Sequence, residues 1–361
     1  MKKTFSVLDG MRGIAAIYVL IIHTGSFWGN LDFHHSYLAV DLFFLLSGFV
    51  IAHAYEAKLD SGQLSLQNFI LVRLIRLYPM YFLSVIFAAT IFILDYLGGR
   101  NRDLLNTHQL IELIALSLIF LPTYIPGIIY LFPLNIPYWS IFYELIMNLV
   151  YVFTREKLKN NVLIILVISL SCLLALMAYF RGDISAGLTW KLTSILSALV
   201  RSGFGIFLGV YLFRIHKRLL INLSISSWMV ILIMAISLMA PDLGRLNGLF
   251  DLFAVTLIFP LLILLGVRSK HGLIADLILK KLGVVSYPMY LLHIPVSLII
   301  YRYASDLVEI YAPYSGVSLV LGLMILSLLA EKYLDIPARR FLTKCFVKPN
   351  LKYNQKNAVA S

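Results

Sequence analysis

Apolar runs of about 20 residues, the length that crosses ~30 Å of hydrocarbon as a helix, recur along almost the whole chain. Short polar stretches separate them. On that length the transmembrane helices fall near 13–30, 37–57, 75–97, 137–153, 161–180, 188–213, 224–240, 248–267, 282–302 and 314–334. One further stretch, 109–132, reads "QLIELIALSLIFLPTYIPGIIYLF" and is apolar enough to span, but Pro122, Pro126 and Gly127 break it. It is read as a re-entrant or interfacial segment on the outer side, buried against protein where its interrupted backbone finds partners. The predicted fold is an all-α polytopic integral membrane protein with about ten transmembrane helices plus this broken segment. Residues 1–345 form a single transmembrane domain, and 346–361 a polar cytoplasmic tail that is disordered.

Composition agrees with the pattern. The chain is 60% hydrophobic and only 13% charged, whereas a soluble domain carries about a quarter of its residues as charges. A net charge of +12 is compatible with a nucleic-acid partner, but the distribution of the basic residues excludes it. If the N-terminus is cytoplasmic, most lysines and arginines fall on one side, from Lys2, Lys3 and Arg12 through "TREKLKNN" and Lys280–Lys281 to the tail. That is the positive-inside bias of a plasma-membrane (bacterial inner-membrane) protein with both termini in the cytoplasm. The opening "MKK" and apolar run imitate a secretory signal, yet Asp9, Arg12 and His23 interrupt it, so it is read as a retained helix. Cys172 and Cys345 offer no disulfide framework, and no histidine pair has metal-site spacing. No Walker loop or dinucleotide fingerprint is present.

The chemistry lies in the polar residues of the apolar runs. Arg12 and His23 are eleven residues apart, which is about 20° past three helical turns, so they line one stripe roughly 16 Å apart along the axis. Singly they read as a positive-inside anchor and an interfacial histidine. Together they read as a functional stripe facing the bundle interior. Asp41, near the outer start of the next helix, is placed at the depth of His23 and is expected to orient its imidazole. Arg73 and Arg76 share one face at the inner surface, where two guanidiniums suit phosphates or lipid headgroups. Ser140, Glu144 and Asn148 form a polar stripe in which Glu144 needs a cation, a shared proton or water. A second stripe holds Ser286, Tyr290, His293 and Ser297, with His293 read as a hydrogen-bonded core histidine. Arg201, mid-span, demands an anion: Glu144, Asp41 or a ligand phosphate. Ser47 with Gly48, and Gly203, Gly205 and Gly209, read as packing positions, and Asp335 with Arg339 as an i, i+4 pair.

The order of these motifs resembles the acyltransferase-3 family of integral membrane acyltransferases. The match runs from "LDGMRGIAA" with Arg12 and His23 through "VDLFFLLSGF", "RLIRLYP", "YWSIFYE" and "SYPMYLLH" to "DIPARR". It departs at Ala39, where the family has glycine, and at Asp335, where it has Glu. The resemblance implies a cytoplasmic acyl-CoA donor, most often acetyl-CoA, and an acceptor hydroxyl on an exported or surface glycan such as a polysaccharide. It implies His23 as catalytic base, Arg12 as its essential partner, Arg73 and Arg76 on the CoA phosphates, and Glu144 in the reaction pocket. Direct transfer is expected, with a covalent acyl-histidine as the variant. The rival reading is a transporter or flippase for a polar or lipid-linked solute, since buried charges and broken helices occur there too. Against it, the chain's halves show no symmetry.

Overall fold

The computed structural model describes residues 5–99, 103–219 and 225–347. The tail predicted from residue 346 onward lies almost entirely outside them. Among the described residues eleven helices order the molecule: α1 Ser6–His23, α2 His34–Asp60, α3 Leu66–Leu97, α4 Thr107–Leu118, α5 Tyr138–Thr154 and α6 Asn160–Arg181, then α7 Leu192–Ile215, α8 Ser227–Leu238, α9 Gly244–Arg268, α10 Leu273–Ile310 and α11 Tyr314–Phe346. Among the described residues eight of these are long and apolar enough to cross a membrane. The helices found at two other predicted spans, α5 with 17 residues and α8 with 12, fall short of that length. The count of ten is therefore not reached on length alone, while the all-α polytopic class is.

The bundle is built around two close helix pairs, α1 on α10 and α2 on α7. Small residues make both approaches possible. A Cβ on Gly48 would lie 2.0 Å from the Ile206 carbonyl oxygen, and one on Gly209 would lie 2.2 Å from that of Leu45. With lipid tails as apolar as the helices, such backbone-to-backbone contact is a main source of association. Gly203, expected in the same role, has only ordinary contacts. α3 and α5 close the sides of the core, and α6 and α11 turn most of their surface outward. The end carrying the N-terminus of α1 is called proximal below, and the end carrying His23 distal.

The proline-broken stretch is helical only over Thr107–Leu118, where Asn106 and Gln109 form a capping box, and then runs as irregular chain. Its backbone is satisfied against protein. Thr123 N–H donates to Leu131, Leu131 N–H to Leu188, and Trp190 N–H to Ile129. Tyr81 of α3 stacks on Phe120 at 3.7 Å and donates to the Ser117 carbonyl at 2.6 Å. This is what irregular backbone requires at membrane depth.

Candidate active site

α1 is one unbroken helix carrying both residues of the opening stripe, Arg12 in its proximal half and His23 as its last residue. They occupy separate stations. His23 Nδ1 lies 2.7 Å from the Val19 carbonyl oxygen, one turn back. A carbonyl only accepts, so Nδ1 carries the proton and Nε2 carries the lone pair. The residue is exposed at the end of α1, and Nε2 makes no hydrogen bond among the described residues. Beside it stands His293 of α10, fully buried, with Nε2 3.3 Å from His23 Nδ1 and ring centroids 5.1 Å apart. His293 Nδ1 faces the Met289 carbonyl at 3.2 Å, which leaves its Nε2 as the acceptor toward His23. The two backbone carbonyls thus fix both tautomers.

Asp41 does not orient His23. Its carboxylate is held by Arg201 in a two-pronged pair, Nε to Oδ1 at 2.9 Å and Nη2 to Oδ2 at 2.6 Å. The side chains are 7% and 2% exposed. Two matters decide this. α2 packs on α7, the helix of Arg201, more closely than on α1. A desolvated guanidinium also matches a carboxylate fork to fork. Arg201 is completed by the Ala186 carbonyl and by the face of Trp139, 5.4 Å away. It lines none of the cavities described below, so its expected role on a donor phosphate is replaced by that of a structural counter-ion.

Arg73 and Arg76 likewise part company. Arg73 turns inward and donates to Glu144 Oε1 at 2.9 Å, and Ser47 donates to the same oxygen at 2.5 Å. Arg73, expected on a CoA phosphate, is instead the cation that Glu144 required. Glu144 Oε2 has no hydrogen bond among the described residues and belongs to a narrow cavity of about 40 Å³. Arg12, Ser47, Ser140, Tyr287 and Tyr290 share its lining. Tyr290 and Ser140 are joined by a 2.5 Å hydrogen bond across it. Arg12 makes no ion pair or hydrogen bond among the described residues; its half-buried guanidinium faces this space with the charge of Asp9, three residues back on α1, acting on it from beyond bonding distance. With these side chains in place the volume holds a few waters, so a ligand arm passes only if they move apart.

Proximal to this neck the molecule opens. A cavity of about 350 Å³ lined by Asp9, Arg76, Lys280, Glu331, Asp335 and Arg339 shares Tyr287 with the neck. A cleft of about 720 Å³ shares Arg76 and Arg339 with that cavity. The predicted Asp335–Arg339 pair is present at 2.7 Å, with Glu331 as a second acceptor. On the distal side Tyr290 lies 6.1 Å, ring to ring, from His293. Arg76, Tyr287, Arg12, Tyr290, His293 and His23 therefore form one line through the bundle. Asn148, third in its stripe, is buried with both amide atoms unpartnered among the described residues and joins no part of this line.

Sequence reasoning placed His293 in the core and missed its contact with His23. The signal was available in the stripe that carries it one turn beyond Tyr290. No metal-binding cluster of His, Cys, Asp or Glu occurs among the described residues.

Comparison with known proteins gives this line its context. The acyltransferase-3 family model, described as an acyltransferase domain, matches residues 5–331. "Protein 2 in picA locus" of Rhizobium radiobacter is 39% identical over 177 residues, 46% of this chain and 91% of that protein. No solved structure matches the chain. The family match takes in Arg12, His23, Glu144 and His293 alike, and it removes the transporter reading: the chain belongs to the acyltransferase-3 family and is an integral membrane acyltransferase.

Proposed function

We propose that the enzyme moves an acyl group, acetyl in the first instance, from cytoplasmic acyl-CoA to a hydroxyl of an exported or cell-surface carbohydrate. The proximal end faces the cytoplasm, in keeping with the basic residues gathered there, and the acceptor arrives at the distal end. The observation that carries the reading is the state of His23: Nδ1–H is tied to Val19, and Nε2 has no hydrogen-bond partner among the described residues at the end of the line. A base so held has its lone pair ready without a carboxylate partner.

In the proposed reaction the acceptor oxygen adds to the thioester carbonyl while His23 Nε2 takes its proton. The tetrahedral intermediate collapses with cleavage of the C–S bond, and the imidazolium returns the proton to the departing thiolate. The products are an ester and free CoA thiol. His293 positions the His23 ring from behind. Arg12 lies roughly 16 Å along α1 from His23, too far to touch an oxyanion formed there. It guides the donor arm through the neck instead, with Glu144 and Tyr290 opposite. Arg76 meets the donor phosphates.

Purified protein in lipid, given radiolabelled acetyl-CoA and cell-envelope glycan, is expected to place base-labile label on sugar. His23→Ala is expected to abolish that label while CoA binding persists. Transfer at the wild-type rate by the variant would remove His23 from the mechanism.

A further inference from the structure

The 720 Å³ proximal cleft has an unusual wall. Arg76 of α3 faces Arg339, Arg340 and Lys344 from the last stretch of α11, Ile336–Phe346, and no carboxylate lines it. Arg339 is engaged by Glu331 and Asp335. Arg76, Arg340 and Lys344 are exposed and form no ion pair among the described residues. Arg340 and Lys344 are spaced i, i+4, where like charges weaken a helix. Asp9 and Asp335 act on Arg76 from the adjoining cavity, whereas Arg340 and Lys344 present their charges to the cleft, a cluster suited to an anion between its members.

The rest of the lining is aromatic and apolar, Tyr55, Val72, Ile75 and Ile336, with Thr343 as its one hydroxyl besides that of Tyr55. Tyr55 comes from a π-helical turn, Ala52–Glu56, and the acids that hold Arg339 come from another, Glu331–Asp335. Such turns are rare and frequent at functional sites. The volume falls within the range of small-molecule sites, and the adjoining cavity leads from here to Tyr287 and the neck.

We infer that this cleft binds the adenosine 3′,5′-bisphosphate end of the donor, with Arg76, Arg340 and Lys344 on its phosphates and Tyr55 against the base. The inference rests on the acyl-CoA reading above and adds a second wall to the donor site, supplied by the end of α11. Anionic lipid headgroups share the phosphate chemistry, whereas they have no base to set against Tyr55.

The test uses the full chain in phosphatidylcholine nanodiscs and calorimetric titration with CoA, 3′-dephospho-CoA and adenosine 3′,5′-bisphosphate. The variant is Arg340→Gln with Lys344→Gln, two exposed positions outside every ion pair described. CoA affinity is expected to fall about tenfold or more in the variant, as loss of charged hydrogen bonds implies. Adenosine 3′,5′-bisphosphate is expected to compete with CoA, and 3′-dephospho-CoA to bind the wild type more weakly than CoA. A variant that binds CoA as the wild type does, and loses only its retention of added phosphatidylglycerol, would make the cleft a headgroup site. The inference then falls and the donor reading stands. A wild type that binds no CoA overturns both.

Discussion

Removing the carboxylate of Asp41 should cost the fold far more than the chemistry. Asp41→Ala leaves Arg201 with its guanidinium 2% exposed in the middle of the bundle, answered by the Ala186 carbonyl, the Trp139 face and the more distant Asp251 carboxylate. Breaking a buried pair from one side costs about 3–5 kcal/mol, because the remaining charge is desolvated and unpaired. For a chain of this size that corresponds to a drop of about 4–7 °C in the thermal midpoint. Arg201→Leu alone strands the carboxylate and should cost a similar amount. The double variant, with neither charge, should recover most of the loss, since an apolar replacement of a buried pair is often neutral or stabilising. The assay is thermal unfolding of the four proteins in detergent, followed by monodispersity, with acyl transfer measured per folded molecule. If Asp41 instead oriented His23, the double variant would fold and lose its activity. A stable but inactive double variant, or a single Asp41→Ala within about 0.5 kcal/mol of wild type, refutes the assignment of Asp41 to Arg201.

The other residues of the line separate by kinetics. Arg76→Ala should raise the KM for acyl-CoA with kcat little changed, whereas Arg73→Ala, which strands Glu144 beside the neck, should lower kcat or folded yield. Steady-state titration of the donor in each variant checks the division, and equal effects on KM would void it. His293→Ala should slow transfer by about tenfold to a hundredfold, less than the loss at His23. Its pH–rate profile should also shift, because the ring behind His23 is gone, and an unaltered profile would make His293 ordinary packing. Gly209→Ala puts a methyl group 2.2 Å from the Leu45 carbonyl oxygen and should destabilise the α2–α7 contact by about 1–3 kcal/mol. Gly203→Ala, which meets only ordinary contacts, should be tolerated, and thermal midpoints of the two variants decide between these outcomes.

The sequence was most legible along single helices. The shared face of Arg12 and His23, the broken stretch after residue 109, the Asp335–Arg339 pair and the packing roles of Gly48, Gly205 and Gly209 all follow from one helix's period or from small residues. What it could not supply was the partner across a helix boundary. Asp41 was matched to His23 because α1 and α2 are joined by a short loop. Yet α1 lies chiefly on α10 and α2 on α7, so Asp41 meets Arg201 and His23 meets His293. Periodicity tells which residues share a face and is silent on which neighbour that face meets. The same gap explains Arg73, whose helix face was right and whose partner, Glu144 on α5, was not anticipated. The two short helices escaped the expected length for a simpler reason. α8 stops at Leu238, just ahead of Pro241, whose preceding residue disfavours helical backbone, and α5 is ended by the "TREK" stretch.

The account stands on donor and acceptor meeting across the membrane through the Arg76-to-His23 line. It is tested most directly in proteoliposomes of uniform orientation, with radiolabelled acetyl-CoA supplied only at the proximal face and carbohydrate acceptor only at the distal face. The expected result is labelled acceptor on the distal side with the wild type and none with His23→Ala. Label formed only when both substrates share one face would contradict it.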